Sequence, residues 1–127
     1  MSPQRKVLVV DDNALNLELA TDLLEAAGFE VVQANRALEG IEIARVQRPD
    51  VILMDIGLPG MDGYTALREL RADVATACIP AIALTAFAME EDRQRALDAG
   101  FVGFITKPIQ TRVFSSTIER IMENSGV

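Results

Sequence analysis

The chain has 127 residues, 50% of them hydrophobic and 24% charged, which suits one globular domain and is too apolar for a disordered chain. Its formal net charge of −7 argues against sequence-independent binding to nucleic acid or to an anionic membrane. The absence of histidine excludes zinc sites of the Cys/His kind and catalysis that depends on a histidine base or nucleophile.

Five short apolar runs alternate with five helical patterns along the chain. The apolar runs predict β-strands at residues 7–10, 29–34, 51–54, 80–84 and 101–105. The helical patterns predict helices at residues 14–27, 36–47, 64–72, 89–99 and 110–124. Regular alternation with short connections predicts a doubly wound α/β domain, in which five helices cover a five-stranded parallel sheet.

The predicted helix ends and inward faces depend on a few residue types. We expect Asn13 to cap the first helix, Asn35 the second, and Asp62 or Gly63 to open the third. Glycines should end the first and fourth helices, at Gly28 and Gly100. The predicted inward positions are Leu17, Ala20, Leu24 and Ala27 on the first helix, and Val113, Phe114, Ile118 and Ile121 on the last.

Targeting signals are missing from the sequence. The single cysteine, Cys78, cannot form a disulfide within the chain. No apolar run approaches the roughly 20 residues that a membrane-spanning helix needs. The apolar run near the N-terminus is also too short for a signal peptide. We therefore expect a cytoplasmic protein with one domain, residues 1–127, and no output domain.

Polar side chains follow the predicted strands. The wholly apolar run at 51–54, typical of a central parallel strand, ends at Asp55. Asp11, Asp12, Thr85 and Lys107 each follow another strand directly or within two residues. Each of these residues alone has an ordinary explanation, as a helix cap, a strand end or a solvated cation. Because parallel strands form their ligand crevice at their carboxyl ends, we expect all five side chains to meet at one rim.

The chemistry of such a rim favours phosphoryl transfer. Three neighbouring carboxylates repel one another unless a cation neutralises them, and Mg²⁺ prefers hard oxygen ligands. A carboxylate beside Mg²⁺ and a lysine can attack phosphorus and form an aspartyl phosphate. The metal and Lys107 would offset the charge on the phosphoryl oxygens, and Thr85 could donate its hydroxyl to one of them.

Four blocks of the chain resemble the signature blocks of response-regulator receiver domains: residues 9–13, 53–63, 84–86 and 105–108. The resemblance covers the whole chain, in the order and spacing of the family. Residues 12–29 and 85–89 look most similar to single-domain receivers. The resemblance implies a flavodoxin-like fold with strand order 2-1-3-4-5.

The resemblance also implies a role for each matching position. The phosphoacceptor would be Asp55, assisted by Thr85 and Lys107. The implied Mg²⁺ ligands are Asp11, Asp12, Asp55 and the backbone carbonyl of Gly57, with Asp12 a more direct ligand than Asp11. The implied switch residues are Thr85 and the aromatic Phe104, and the peptide bond before Pro108 would be cis.

The function implied by the resemblance is that of a two-component response regulator. A histidine kinase or phosphotransferase, on another protein because this chain lacks histidine, would supply the phosphate. The chain would catalyse its own Mg²⁺-dependent phosphorylation and dephosphorylation without being an enzyme towards other substrates. Its downstream protein target would contact the face of helix 4, strand 5 and helix 5, residues 89–124.

Three alternatives remain open on sequence grounds. The chain could be the receiver module of a larger hybrid kinase. A haloacid-dehalogenase-type phosphatase would use a similar residue set, but it needs a second Asp where Gly57 stands. A flavin-binding module would need a phosphate-binding loop after the first strand, where Asp11 and Asp12 would repel phosphate.

Two further features bear on regulation. Gly57 has no side chain, and Phe87 is apolar where many receivers carry a polar residue, which predicts slow hydrolysis of the aspartyl phosphate. The apolar face of the first helix is broader than packing on a sheet requires. Leu15 and Leu19 at its edge therefore predict a docking surface for the phosphodonor.

Overall fold

The computed structural model describes residues 4–86 and 89–124, which form a parallel sheet covered by helices on both faces. The strands are β1 Lys6–Val10, β2 Glu30–Ala34, β3 Val51–Asp55, β4 Ala81–Thr85 and β5 Gly103–Thr106. The helices are α1 Ala14–Ala26, α2 Ala37–Gln47, α3 Gly63–Ala72, α4 Glu90–Ala99 and α5 Phe114–Asn124. The sheet order β2-β1-β3-β4-β5 confirms the predicted fold and topology. Within the described ranges, no helix is both long and apolar enough to cross a membrane.

The two faces of the sheet bury separate apolar clusters, because alternate residues of each strand point to opposite sides. On β3, Ile52 and Met54 lie in the cluster covered by α2, α3 and α4. Val51 and Leu53 lie in the second cluster, under α1 and α5. Burial on both faces explains why the central strands are continuous apolar runs and why a polar residue appears only where a strand ends.

Several predicted helix ends are confirmed. The side chain of Asn13 caps α1 and accepts a hydrogen bond from the N–H of Asn16 at 3.1 Å. Asp62 caps α3 in the same way, accepting from the N–H of Thr65 at 2.9 Å. Gly100 ends α4 in the left-handed region, with φ of 112°, where a side chain would be strained.

The starts of α2 and α5 differ from the prediction. α2 is preceded by Arg36, and Asn35 does not cap it; instead the N–H of Asn35 donates to Glu39 Oε1 at 2.9 Å. α5 begins four residues later than predicted, at Phe114. The reason is that Ile109 packs into the cluster under α1 and α5, so the chain has to turn outwards again before the helix can begin.

Two predicted inward positions are wrong. Ala27 is exposed, because it is the C-cap of α1 and no longer follows the helical periodicity. Val113 is 46% exposed, because it precedes α5. The inward face of α5 consists of Phe114, Ile118 and Met122, with Ile121 partly buried against the same cluster.

Candidate functional site

The carboxyl ends of four strands bring the predicted polar residues together. Asp11 directly follows β1, Asp55 ends β3, Thr85 ends β4, and Lys107 directly follows β5. Asp11, Asp55 and Thr85 are buried, whereas Asp12 is exposed at the rim. One carboxylate oxygen from each of the three aspartates lies within 4.8 Å of the other two. The parallel sheet therefore assembles the rim that the sequence predicts.

Lys107 lies between the two buried carboxylates. Its Nζ is 2.7 Å from Asp55 Oδ2 and 3.1 Å from Asp11 Oδ2. The backbone of Lys107 is held by β4, since its N–H donates to the carbonyl of Thr85 at 2.7 Å. One cation is thus shared between acids on two strands.

Backbone N–H groups hold the remaining oxygens of both buried carboxylates. The N–H of Gly57 donates to Asp55 Oδ1 at 2.9 Å. The N–H of Asn13 donates to Asp11 Oδ1, also at 2.9 Å. Each of these hydrogen bonds closes an Asx turn, in which an aspartate side chain accepts from the N–H two residues further along the chain. Each carboxylate therefore has one oxygen fixed by the backbone and the other directed at Lys107.

Burial and charge shift two pKa values in the cluster. Burial raises the pKa of Asp11 above its usual 3.8, and the charge of Asp55 adds to this; the Asn13 N–H and Lys107 partly oppose the shift. Burial alone would lower the pKa of Lys107, but the carboxylates of Asp55 and Asp11 outweigh it, so the pKa is raised. The lysine stays charged, while Asp11 is harder to ionise than a solvated aspartate.

The donor set fits a divalent cation. Asp11 Oδ2 is buried and, among the described residues, accepts no hydrogen bond of good geometry; its one close partner is the ammonium of Lys107. Three carboxylates face one lysine at the rim, which leaves an excess of negative charge. Oxygen ligands with uncompensated charge are the environment in which Mg²⁺ binds.

The remaining predicted residues lie around this cluster. Gly57 is exposed in the loop after β3, and a Cβ atom there would meet only Asp55 Oδ1, at 3.6 Å. Phe104 is partly buried on β5 and packs against the cluster under α2, α3 and α4. The Lys107–Pro108 peptide bond is cis, as predicted. Phe87 lies outside the described residues.

Two contributors at the site were not predicted from the sequence. One is the backbone N–H of Asn13, which holds Asp11 while its side chain caps α1. An aspartate two residues before a helix cap was the available signal. The other is Gly63, whose α carbon lies against the backbone of Asp55 and Ile56. In the sequence, the position of Gly63 after Asp62 indicated only that a helix starts there.

Comparisons with known proteins agree with this geometry. A family model for the response regulator receiver domain matches residues 7–119. The polar-differentiation response regulator DivK of Brucella anthropi is 43% identical over 115 residues, covering 91% of this chain and 94% of DivK. The solved chemotaxis response regulator CheY4 of Vibrio cholerae has a TM-score of 0.88 at 28% identity, covering 94% of this chain and 99% of CheY4.

A further solved structure bears on the metal. The receiver domain of the sensor histidine kinase PA1611 from Pseudomonas aeruginosa PAO1 has a TM-score of 0.83 at 34% identity, covering 98% of this chain and 100% of that domain. That structure has a magnesium ion coordinated in its active site cleft. On the family match, the identity to DivK and the shared fold, the chain belongs to the response regulator receiver domains of two-component signalling.

Proposed function

We propose that Asp55 is the phosphoacceptor of this receiver domain. The observation that carries the proposal is the position of its carboxylate, which is 2.7 Å from Lys107 Nζ and beside the carboxylates of Asp11 and Asp12. The donor is a phosphohistidine on a histidine kinase or phosphotransferase, because this chain has no histidine. The phosphorus–nitrogen bond breaks as an Asp55 oxygen bonds to phosphorus, and the imidazole leaves.

Each residue around Asp55 contributes a different contact to the phosphoryl transfer. The Gly57 N–H fixes the rotation of the carboxylate through Oδ1. Lys107 already lies against Oδ2, from which it can reach the oxygens of the incoming phosphoryl group. Thr85, at the end of the neighbouring strand β4, offers its hydroxyl to another phosphoryl oxygen. This hydrogen bond can couple phosphorylation of Asp55 to a change in β4. In this proposal the chain catalyses its own phosphorylation and dephosphorylation and is not an enzyme towards other substrates.

Asp12, Asp55 and the carbonyl of Gly57 are the proposed Mg²⁺ ligands, with Asp11 as the buried anion behind them. The bound ion would neutralise charge on the phosphoryl oxygens during transfer. Support for this ion comes from the fit of the three carboxylates and from the magnesium in the PA1611 receiver structure.

Signalling is proposed to run through protein contacts. Phosphorylation at Asp55 changes the hydrogen bonding of Thr85, and Phe104 on β5 is the proposed second switch residue. The downstream target would bind the face formed by α4, β5 and α5. Since kinase and phosphotransferase domains that donate phosphate work in the cytoplasm, the same compartment is proposed for this chain.

A second candidate context is a receiver module within a larger hybrid kinase. The observation that favours it is the 34% identity to the receiver domain of the sensor histidine kinase PA1611. The chemistry at Asp55 would be the same in that context. The phosphatase and flavin-binding alternatives fall away with family membership.

Chemical phosphorylation tests the central assignment. Acetyl phosphate with Mg²⁺ should add one phosphate to the wild-type chain, and Asp55→Asn should abolish the addition, because the amide is not a nucleophile towards phosphorus. Intact mass is the measurement, since the chain has no tryptophan for a fluorescence assay. Labelling that persists in Asp55→Asn would contradict the proposal.

A further inference from the structure

Gly63, the first residue of α3, lies directly against the backbone of Asp55. A Cβ atom on Gly63 would lie 2.8 Å from Ile56 Cα and 2.9 Å from the carbonyl oxygen of Asp55. Real Cβ contacts are essentially never shorter than 3.0 Å. Because both neighbours are backbone atoms, no side-chain rotation can relieve the contact. Any side chain here would move either the start of α3 or the end of β3.

Backbone hydrogen bonds hold both ends of the loop between Asp55 and Gly63. The N–H of Ile56 donates to the carbonyl of Leu84 at 2.9 Å, which extends the pairing of β3 with β4 past Asp55. The N–H of Gly63 donates to the carbonyl of Ile56 at 3.0 Å and closes the loop onto α3. Ile56 is thus held between strand β4 and helix α3, and Gly57 follows it directly.

We infer that Gly63 is a positioning residue for the Asp55 site. Its missing side chain allows the first turn of α3 to hold the backbone of Asp55 and Ile56 in place. That backbone in turn fixes the position of Gly57. The N–H of Gly57 orients the Asp55 carboxylate, and its carbonyl is a proposed metal ligand. The inference rests on the proposed function, and it concerns a residue that touches neither the metal nor the phosphoryl group.

Cation geometry makes the inference testable. Mg²⁺ requires near-ideal octahedral coordination, with metal–oxygen distances of about 2.0–2.1 Å. Ca²⁺ accepts six to eight oxygens at about 2.3–2.6 Å in flexible arrangements. A backbone shift of a few tenths of an ångström at Asp55 and Gly57 should therefore weaken Mg²⁺ binding much more than Ca²⁺ binding. A general loss of stability would not change this ratio.

The experiment measures cation binding by Gly63→Ala. The half-saturating concentrations of Mg²⁺ and Ca²⁺ are read from the rise in melting temperature, and labelling by acetyl phosphate is followed with Mg²⁺. We expect the half-saturating Mg²⁺ concentration to be at least about tenfold higher for Gly63→Ala than for the wild type, an effect typical of losing a group that orients metal ligands. The Ca²⁺ value should change much less, and labelling should slow.

Gly103→Ala is the matched control. Gly103 lies on β5, and a Cβ atom on it would lie 2.7 Å from side-chain atoms of Ile121 on α5. The crowding is therefore similar, but it falls on a side chain away from the aspartates. This variant should lower the melting temperature and keep the ratio of the two cation affinities. If Gly63→Ala also keeps that ratio, the positioning role is wrong. If the wild type takes up no phosphate, the proposed function fails instead.

A second pair of variants covers the case in which Gly63→Ala does not fold. Asp62→Ala removes the cap of α3 and so loosens the same contact, whereas Asp62→Asn removes the charge and keeps the cap. Asp62→Ala should weaken Mg²⁺ relative to Ca²⁺, by a smaller factor than Gly63→Ala. Asp62→Asn should leave the ratio unchanged. Equal ratios in the two Asp62 variants would overturn the inference.

Discussion

At the scale of single residues, the buried charges depend on one lysine and two backbone amides. A buried carboxylate is costly unless it is paired, and Asp55 and Asp11 are paired through the same ammonium group. The space beside Asp55 is open at Gly57, where a Cβ would make only an ordinary contact of 3.6 Å. Water that attacks the aspartyl phosphate would therefore find no side chain at Gly57 to orient it.

This open space predicts a long-lived phosphorylated state. Under this hypothesis, Gly57→Asn places an amide where it can hold the attacking water and speeds autodephosphorylation. One hydrogen bond worth about 1–2 kcal/mol of barrier corresponds to roughly a tenfold faster rate. The measurement is the decay of phosphorylated protein by intact mass after the donor is removed.

Gly60→Asn is the control for Gly57→Asn. Gly60 lies in the same loop, with φ of 79°, which asparagine tolerates better than most residues, and a Cβ atom on it would meet no other atom within 4 Å. Its decay rate should equal that of the wild type. If Gly57→Asn decays no faster than Gly60→Asn, the open space does not control the lifetime.

At the scale of elements, α1 and α4 are attached to the domain in different ways. α1 begins two residues after Asp12 and buries Leu17, Ala20 and Leu24 against the sheet. α4 buries only Ala96, and the guanidinium of Arg95 lies 4.7 Å from the ring centre of Tyr64 on α3. The exposed edge of α1 next to the acidic rim is therefore firmly anchored, which suits a docking surface.

Docking of the phosphodonor on α1 is best tested at Leu15. Leu15 is 76% exposed, whereas Leu19 is partly buried against the cluster under α1 and α5, so a change at Leu19 would also affect stability. Leu15→Glu should slow phosphotransfer from a histidine donor about tenfold, as the loss of an apolar contact worth about 1.5 kcal/mol would. Acetyl phosphate labelling should stay unchanged.

Leu38→Glu provides the control for Leu15→Glu. Leu38 is 64% exposed on α2, the helix on the opposite side of the sheet. The charge change is identical, so equal transfer rates in the two variants would indicate a general effect of charge. Slower labelling of Leu15→Glu by acetyl phosphate would indicate damage to the site.

At the scale of the whole molecule, the buried carboxylate of Asp11 makes folding depend on pH. The pKa of Asp11 is raised in the folded chain, so protonation of this carboxyl favours folding. Its favourable contribution is present below its ordinary pKa of 3.8 and is lost as pH rises through the raised value. Above that range, the ionised carboxylate of Asp11 opposes folding, mainly because burial removes it from water and to a smaller extent because Asp55 repels it.

Removal of the Asp12 carboxylate should stabilise the chain without metal, because oxygens of three carboxylates lie within 4.8 Å of one another and repel. Asp12→Ala should raise the melting temperature in EDTA by a few degrees at most, since about 1 kcal/mol shifts a domain of this size by roughly 2–8 °C. Mg²⁺ should raise the melting temperature of the wild type by mass action and have little effect on the variant. Equal Mg²⁺ shifts in both proteins would count against Asp12 as a ligand.

The sequence by itself determined the fold class and the polar side chains that meet at the site. Strands buried on both faces appear as apolar runs, and their polar residues can stand only at the ends, as Asp55 and Thr85 do. Since a parallel sheet aligns those ends, the meeting of Asp11, Asp55 and Lys107 follows from the topology alone. Local signals were also sufficient for the caps at Asn13 and Asp62.

The tertiary structure decided everything that depends on packing between distant segments. The pairing of Lys107 with Asp55 joins residues 52 positions apart, and its 2.7 Å distance depends on how β4 and β5 are held. The late start of α5 follows from the burial of Ile109, which no local pattern indicates. The role of Gly63 also depends on tertiary packing, because the absence of a side chain matters only where another stretch of backbone lies against that residue.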